Sequence, residues 1–120
     1  MSRLEPIGEI IYFVRLYKGV IKIGYTTDLE RRLSDFRALC PFAEVRAKFN
    51  GSKKAEKFMH RLFRPVNINS ELFREEGMLY NFLNSVRYVG IEKALDFAKG
   101  EHEAFYRSQH RKRMREAGKK

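Results

Sequence analysis

The stretch that most constrains this chain runs from Ile11 to Leu33, IYFVRLYKGVIKIGYTTDLERRL. Two runs rich in Ile, Val, Tyr and Phe, Glu9–Tyr17 and Val20–Tyr25, flank Lys18-Gly19. They read as two strands of a hairpin with a turn between them. The register has two solutions. A two-residue turn at Lys18-Gly19 pairs Tyr12 with Tyr25. A three-residue loop, Tyr17-Lys18-Gly19, pairs Val14 with Lys22 and sets Gly19 at the left-handed position such loops favour. We prefer the second because it gives Gly19 a physical role. Tyr12, Val14 and Lys22 then share one face, and a slip of one residue would turn Lys22 to the other.

A helix follows directly. Thr27 and Glu30 have the spacing of a capping box. The helix is expected to run to about Leu39, with Leu29, Leu33, Phe36 and Leu39 or Cys40 as its apolar stripe and Pro41 as its stop. Arg32 lies beside that stripe. A phenol (Tyr12), an ammonium (Lys22), a second phenol (Tyr25) and a guanidinium (Arg32) therefore fall within one supersecondary unit. Such a set can activate a nucleophile and neutralise a phosphate, which points to phosphodiester chemistry.

Downstream, Ala43–Phe49 alternates, with Val45, Ala47 and Phe49 on one side, and reads as a third strand. Asn50-Gly51-Ser52 is a turn and cap. Lys53–Phe63 reads as a helix with Phe58, Met59, Leu62 and Phe63 apolar, closed by Pro65. Glu56 and His60, four apart, project from one face of it. Asn67–Ser70 is a polar connection. A third helix is expected over Glu75–Val86, broken by Gly90, then a short helix over Ile91–Ala98 and a polar, basic one over Glu101–Arg115.

At 120 residues the chain is expected to be one domain with a tail. The divisions read as a lead-in at 1–8, a domain at 9–88 and a basic helical extension at 89–120. The predicted fold is α/β, a small three-stranded, mainly antiparallel sheet flanked by helices. Net charge is +10, and seven Lys or Arg against one acid (Glu116) from Arg107 to Lys120 place +6 of it in the tail. That excess favours a polyanionic partner, most simply nucleic acid. The tail reads either as a solvated end or as a source of salt-dependent phosphate contacts. No apolar run approaches the ~20 residues of a membrane span, so no membrane partner is expected. Cys40, the single cysteine, excludes an internal disulfide or a cysteine metal cage and fits a cytoplasmic setting.

The ordered set Ile10/Ile11-Tyr12, Lys22-Ile23-Gly24, Arg32 eight residues on, and the helix bearing Glu56 resembles the GIY-YIG nuclease superfamily. The Lys-Ile-Gly-Tyr variant, Glu56-x-x-x-His60 and Glu71-Leu72-Phe73 are similar to its phage and bacterial branch, which includes the meiotically up-regulated gene type. The likeness covers about Glu9–Val86. The Gly before Ile-Tyr is absent, Lys22 replaces the first Tyr of the second tripeptide, and Phe36 stands where some members carry His or Tyr. Asn67 and Asn69 are both candidates for a late Asn of the pattern.

The resemblance implies a GIY-YIG-type endonuclease, a hydrolase of DNA phosphodiester bonds that uses one divalent cation. Magnesium is expected, with manganese as a substitute. Glu56 would hold the ion, and Tyr12 would be the general base or would orient the attacking water. Arg32 would grip phosphate oxygens. Lys22 would contact the phosphate or lower a tyrosine pKa, and Tyr25 would hold the water or simply pack. His60 would shuttle a proton, orient Glu56 or join the ion's shell. Glu71 reads as a helix-start carboxylate or a second acid of the site. One visible site cuts one strand, so a homodimer would serve to cut two. The runner-up is a nucleic-acid-binding module of the same fold with little or no catalysis. A third reading is a scaffold whose basic tail binds an acidic partner.

Overall fold

The computed structural model describes residues 8–117. The expected lead-in thus lies, apart from Gly8, outside the described residues, as do the last three residues of the tail. The chain orders as β1 (Ile10–Tyr17), β2 (Val20–Thr26), α1 (Leu29–Leu39), β3 (Glu44–Asn50), α2 (Lys53–Leu62), β4 (Asn67–Asn69), β5 (Leu72–Arg74) and α3 (Gly77–Ala117). A short 3-10 turn, Arg64–Val66, leads from α2 into β4. No described helix is long and apolar enough to cross a membrane.

The strands form one antiparallel sheet of five in the order β3-β1-β2-β5-β4. This corrects the three-stranded expectation. The two additional strands have three residues each, too few to give an alternating pattern; β4 comes from the stretch read as a polar connection and β5 from the residues between it and the third helix. Asn67 holds that tight hairpin by donating its side-chain amide to the Ser70 and Leu72 carbonyls at 3.0 and 3.1 Å.

The hairpin register is the preferred one: Val14 pairs with Lys22 and Tyr12 with Gly24. The loop reaches it differently from the expectation. Tyr17 pairs with Val20, so the turn itself is Lys18-Gly19, and a bulge at Leu16 restores the offset. Gly19 has φ +80°, a conformation that L side chains rarely adopt. A second bulge, between Phe13 and Val14, offsets β1 against β3. It breaks the alternation read from the sequence: Ala47 and Phe49 lie on one face of the sheet, and Val45 lies on the other.

The two faces are unequal. Ile11, Phe13, Ile21 and Ile23 are fully buried against α2 and α3 in the main core. Phe13 is its centre, with the rings of Phe82, Phe63 and Phe49 at 5.3, 6.0 and 6.2 Å. Each such aromatic buries ~150–250 Å², so this cluster dominates the hydrophobic stabilisation. A bidentate pair from Arg15 to Glu75 (2.7 and 2.6 Å), joined by Arg46 at 3.1 Å, ties the entry of α3 to this face.

The opposite face is covered more lightly, by α1. Tyr12, Val14, Cys40 and Ala43 are buried there, but α1 buries no residue of its own completely. Leu29, Leu33 and Phe36 pack partly, and Leu39 is exposed, so the stripe ends at Cys40. The N-cap is Asp28 rather than Thr27: its carboxylate accepts from the Arg31 N–H at 3.2 Å, while Thr26 Oγ1 accepts from the Asp28 N–H. A light lid on one face leaves polar groups near water.

Gly90 interrupts α3 with φ +84° and ψ 168°, a backbone region essentially confined to glycine. Two helical arms, 77–89 and 91–117, meet there. The second runs unbroken where two helices were expected, and it returns across the core, burying Ala94 and Ala98.

Candidate active site

Pairing decides where the site opens. β2 is bonded to β1 along its length, but β5 covers the other edge only from Val20 to Lys22, with one further bond from Ile23 N–H to the Glu71 carbonyl. Beyond that point α2 takes over the edge: His60 Nε2 lies 2.8 Å from the Ile23 carbonyl. A carbonyl oxygen only accepts, so this nitrogen carries the proton. The His60 ring also rests against Phe73 at 5.3 Å. His60 thus docks α2 beside the β2 edge, and Glu56, one turn earlier, sits 4.0 Å from the same nitrogen.

Tyr12 approaches this edge from β1. Its side chain crosses to β2 and lies over Gly24, where any Cβ would overlap the phenol. The ring is buried and packs against Phe36 of α1 at 5.7 Å. Three charged groups act on its hydroxyl. Burial raises its pKa to about 12; Arg32 opposes the rise through its charge and as a hydrogen-bond donor, while Glu71 and Glu56 add to it. These three side chains come from α1, the β4–β5 turn and α2, and all three act on the Tyr12 hydroxyl.

Lys22 shares that face. Its ammonium lies 2.7 Å from the Glu71 carboxylate and 5.6 Å from the centre of the Phe36 ring. Glu71 is therefore the neutralising partner of Lys22 as well as a neighbour of Tyr12. Glu56 is different: among the described residues no Lys or Arg forms an ion pair with it. Its side chain is 18% exposed, sheltered but in contact with water.

Tyr25 stands apart. It pairs with Ile11 and packs on the main-core face, opposite Tyr12. Its hydroxyl donates to Glu9 at 2.9 Å, which raises its pKa, and Lys53 lies over its ring at 5.7 Å. The geometry thus brings Tyr12, Arg32, Lys22 and Glu56 together with His60 beside them, and leaves Tyr25 on the far face. Two groups were underweighted in the sequence. Glu71 was visible only as part of Glu71-Leu72-Phe73. Lys48 is the cross-strand partner of Tyr12, and the bulge that sets its face leaves no trace in the pattern.

The assembly holds two cations beside a neutral phenol, with one carboxylate neutralised and a second one open. It can grip an oxyanion and still accept positive charge at Glu56. Among the described residues no three His, Cys, Asp or Glu side chains cluster into a metal cage.

Comparison with known families gives one finding: the family model described as the T5orf172 domain matches residues 9–99. No curated protein and no solved structure matches the chain.

Proposed function

The chain belongs to the T5orf172 domain family, and from that footing we propose that it is a metal-dependent endonuclease hydrolysing DNA phosphodiester bonds. The observation that carries this reading is the placing of the Tyr12 phenol over Gly24 in the field of one guanidinium, Arg32, and two carboxylates, Glu71 and Glu56, the first of them paired with Lys22 at 2.7 Å. A structural tyrosine needs none of the three.

The donors present suit a hard divalent cation. Among the described residues Glu56 is a single, sheltered carboxylate with no Lys or Arg paired to it, and no three-residue cage forms. Magnesium keeps several waters and is commonly held by one or two carboxylates plus substrate phosphate oxygens, which fits this set; manganese fits it likewise. A closed zinc site does not fit. When bound, the cation would supply charge to the phosphate oxygens and to the leaving oxygen.

The chain's own residues do the rest. Arg32 takes two phosphate oxygens with its planar fork. Lys22, steadied between Glu71 and Phe36, adds a point charge. Tyr12 is a neutral phenol at pH 7, so in the resting protein it donates a hydrogen bond and orients a water or phosphate oxygen. To take a proton from the attacking water it must first ionise, which added positive charge beside Glu56 favours. His60, with its Nε2 proton on the Ile23 carbonyl, anchors the stretch of α2 that carries Glu56 beside the β2 edge. One site cuts one strand, and a pair of copies would cut both.

A binding module without catalysis is the second reading. The high Tyr12 pKa and the engagement of Lys22 by Glu71 favour it, since both lower the reactivity of the resting site. The two readings separate in one experiment. Supercoiled plasmid and a branched DNA are incubated with the protein in magnesium, in manganese and in chelator, beside Glu56→Ala and Tyr12→Phe. The nuclease reading expects metal-dependent nicking that both substitutions abolish. Binding without nicking in any metal leaves the module.

A further inference from the structure

The second arm of α3 carries its charges in two blocks. Over 91–103, where it docks, there are four acids and two lysines. This part is anchored by buried Ala94 and Ala98, by His102 Nδ1 at 2.9 Å from the Leu62 carbonyl, and by the Asn81 amide donating to Glu101 at 3.3 Å. Over 104–115 there is no acid, and there are five cations. Every residue of this second block is exposed. Arg107 pairs with Glu103, the last acid of the docked block, at 3.6 Å. The other four, Arg111, Lys112, Arg113 and Arg115, form no ion pair among the described residues.

Like charges at i,i+4 positions, as at Arg107/Arg111 and Arg111/Arg115, oppose helix formation, so this block is unfavourable alone. Continuity with the docked block holds it as a helix, and the molecule is drawn out to 66 Å against 29 and 25 Å in its other directions. A second copy of the same block would bring cations against cations. A polyanion would relieve the repulsion. At 1.5 Å per residue the twelve residues span about 18 Å, and duplex DNA presents one phosphate charge per ~1.7 Å of its axis.

We propose that residues 104–115 form a projecting arm that lies along the phosphate backbone of duplex DNA away from the Tyr12 and Glu56 side chains, and so supply sequence-independent affinity. This rests on the DNA reading given above and adds a second contact region to it.

The test compares the full chain with Arg111→Gln/Lys112→Gln/Arg113→Gln/Arg115→Gln. Glutamine keeps helix propensity, and all four positions are exposed. Affinity for a labelled duplex is measured in chelator across roughly 50–200 mM salt, a range over which phosphate contacts weaken steeply. Each phosphate contact contributes about 0.9 to the slope of log K against log salt, so the variant's slope should be shallower by about 3 to 4. Nicking at low salt in magnesium, read on the same two proteins, should survive because Tyr12, Lys22, Arg32 and Glu56 are unchanged. An unchanged slope overturns the arm while leaving the nuclease reading in place. A shallower slope with no nicking by either protein keeps the arm and removes the nuclease. A wild-type dimer that the variant loses, at equal slope, assigns the arm to self-association and overturns the proposal.

Discussion

The Tyr12 phenol occupies the space a side chain would need at Gly24, its partner on the neighbouring strand. A Cβ built there would overlap both the phenol oxygen and the carbon that bears it. Gly24 is not among the positive-φ glycines, so its backbone does not demand glycine. The packing of Tyr12 does. The Gly of Lys22-Ile23-Gly24 is thus a steric slot that lets a phenol from β1 reach the edge of β2.

Gly24→Ala should therefore destabilise the fold by roughly 1–3 kcal/mol, as overpacking does. Urea unfolding of Gly24→Ala, Tyr12→Ala and the double variant measures the link. The alanine at 24 should cost less when Tyr12 is already alanine, with a coupling on the order of 1 kcal/mol. Additive losses would mean the two residues do not meet.

Tyr12 should resist ionisation far above neutral pH, with a pKa of about 12 in the metal-free protein. Tyrosine labelled at its Cζ carbon and followed by NMR titration reads this directly, with Tyr12→Phe assigning the resonance. Glu71 raises the pKa and Arg32 lowers it. Glu71→Gln should move the midpoint down, and Arg32→Gln should move it up. Shifts in the opposite senses would contradict the electrostatics assigned to the site.

Glu75 gives the fold its own pH dependence. Arg15 chiefly, and Arg46 with it, hold the Glu75 carboxyl below its ordinary pKa of 4.5. A carboxyl with a depressed folded pKa stabilises the native state above the unfolded value, and that stability is lost as pH falls through the folded value. Wild-type stability should drop as pH falls below about 4.5, and Glu75→Gln should flatten that drop. At neutral pH the substitution should cost about 2–4 kcal/mol, below the range for a fully buried pair because Arg15 is partly exposed. Unfolding curves from pH 7 to 3 check both statements.

Gly90→Ala should cost about 1–3 kcal/mol through a backbone conformation closed to alanine. It should also loosen the return of the second arm, whose Ala94 and Ala98 are in the core. Hydrogen exchange over 91–103 reads this: faster exchange is expected there, with the β1–β2 pair unaffected at matched stability.

Much of this was legible in the sequence. Both strands of the hairpin, its register, α2 and the break at Gly90 followed from β-branched runs, a turn glycine, a 3.6-residue period and a helix breaker. What escaped reading has physical causes. β4 and β5 are too short to show a period. The bulge at Arg46 moved Val45 to the other face without changing the alternation of residue types. Asp28 outcompeted Thr27 as the cap because Thr26 fixes the Asp28 backbone. The nearness of Tyr12, Lys22 and Arg32 followed from the hairpin and the helix after it, whereas the polarity of the site and the turning of Tyr25 to the other face did not. Nothing in the order of residues tells that Glu71 would neutralise Lys22 and burden Tyr12, or that Tyr25 would bond to Glu9 across the sheet.

The proposed nuclease requires a divalent cation at Glu56 within reach of the Tyr12 phenol. Manganese is the direct probe, because its paramagnetism broadens nearby resonances. With all six tyrosines labelled at Cζ, manganese should broaden the Tyr12 signal at low equivalents, ahead of the remote Tyr17 and Tyr88, and Glu56→Gln should abolish the effect. Equal broadening of all six, or Tyr12 broadening that survives Glu56→Gln, would contradict the account.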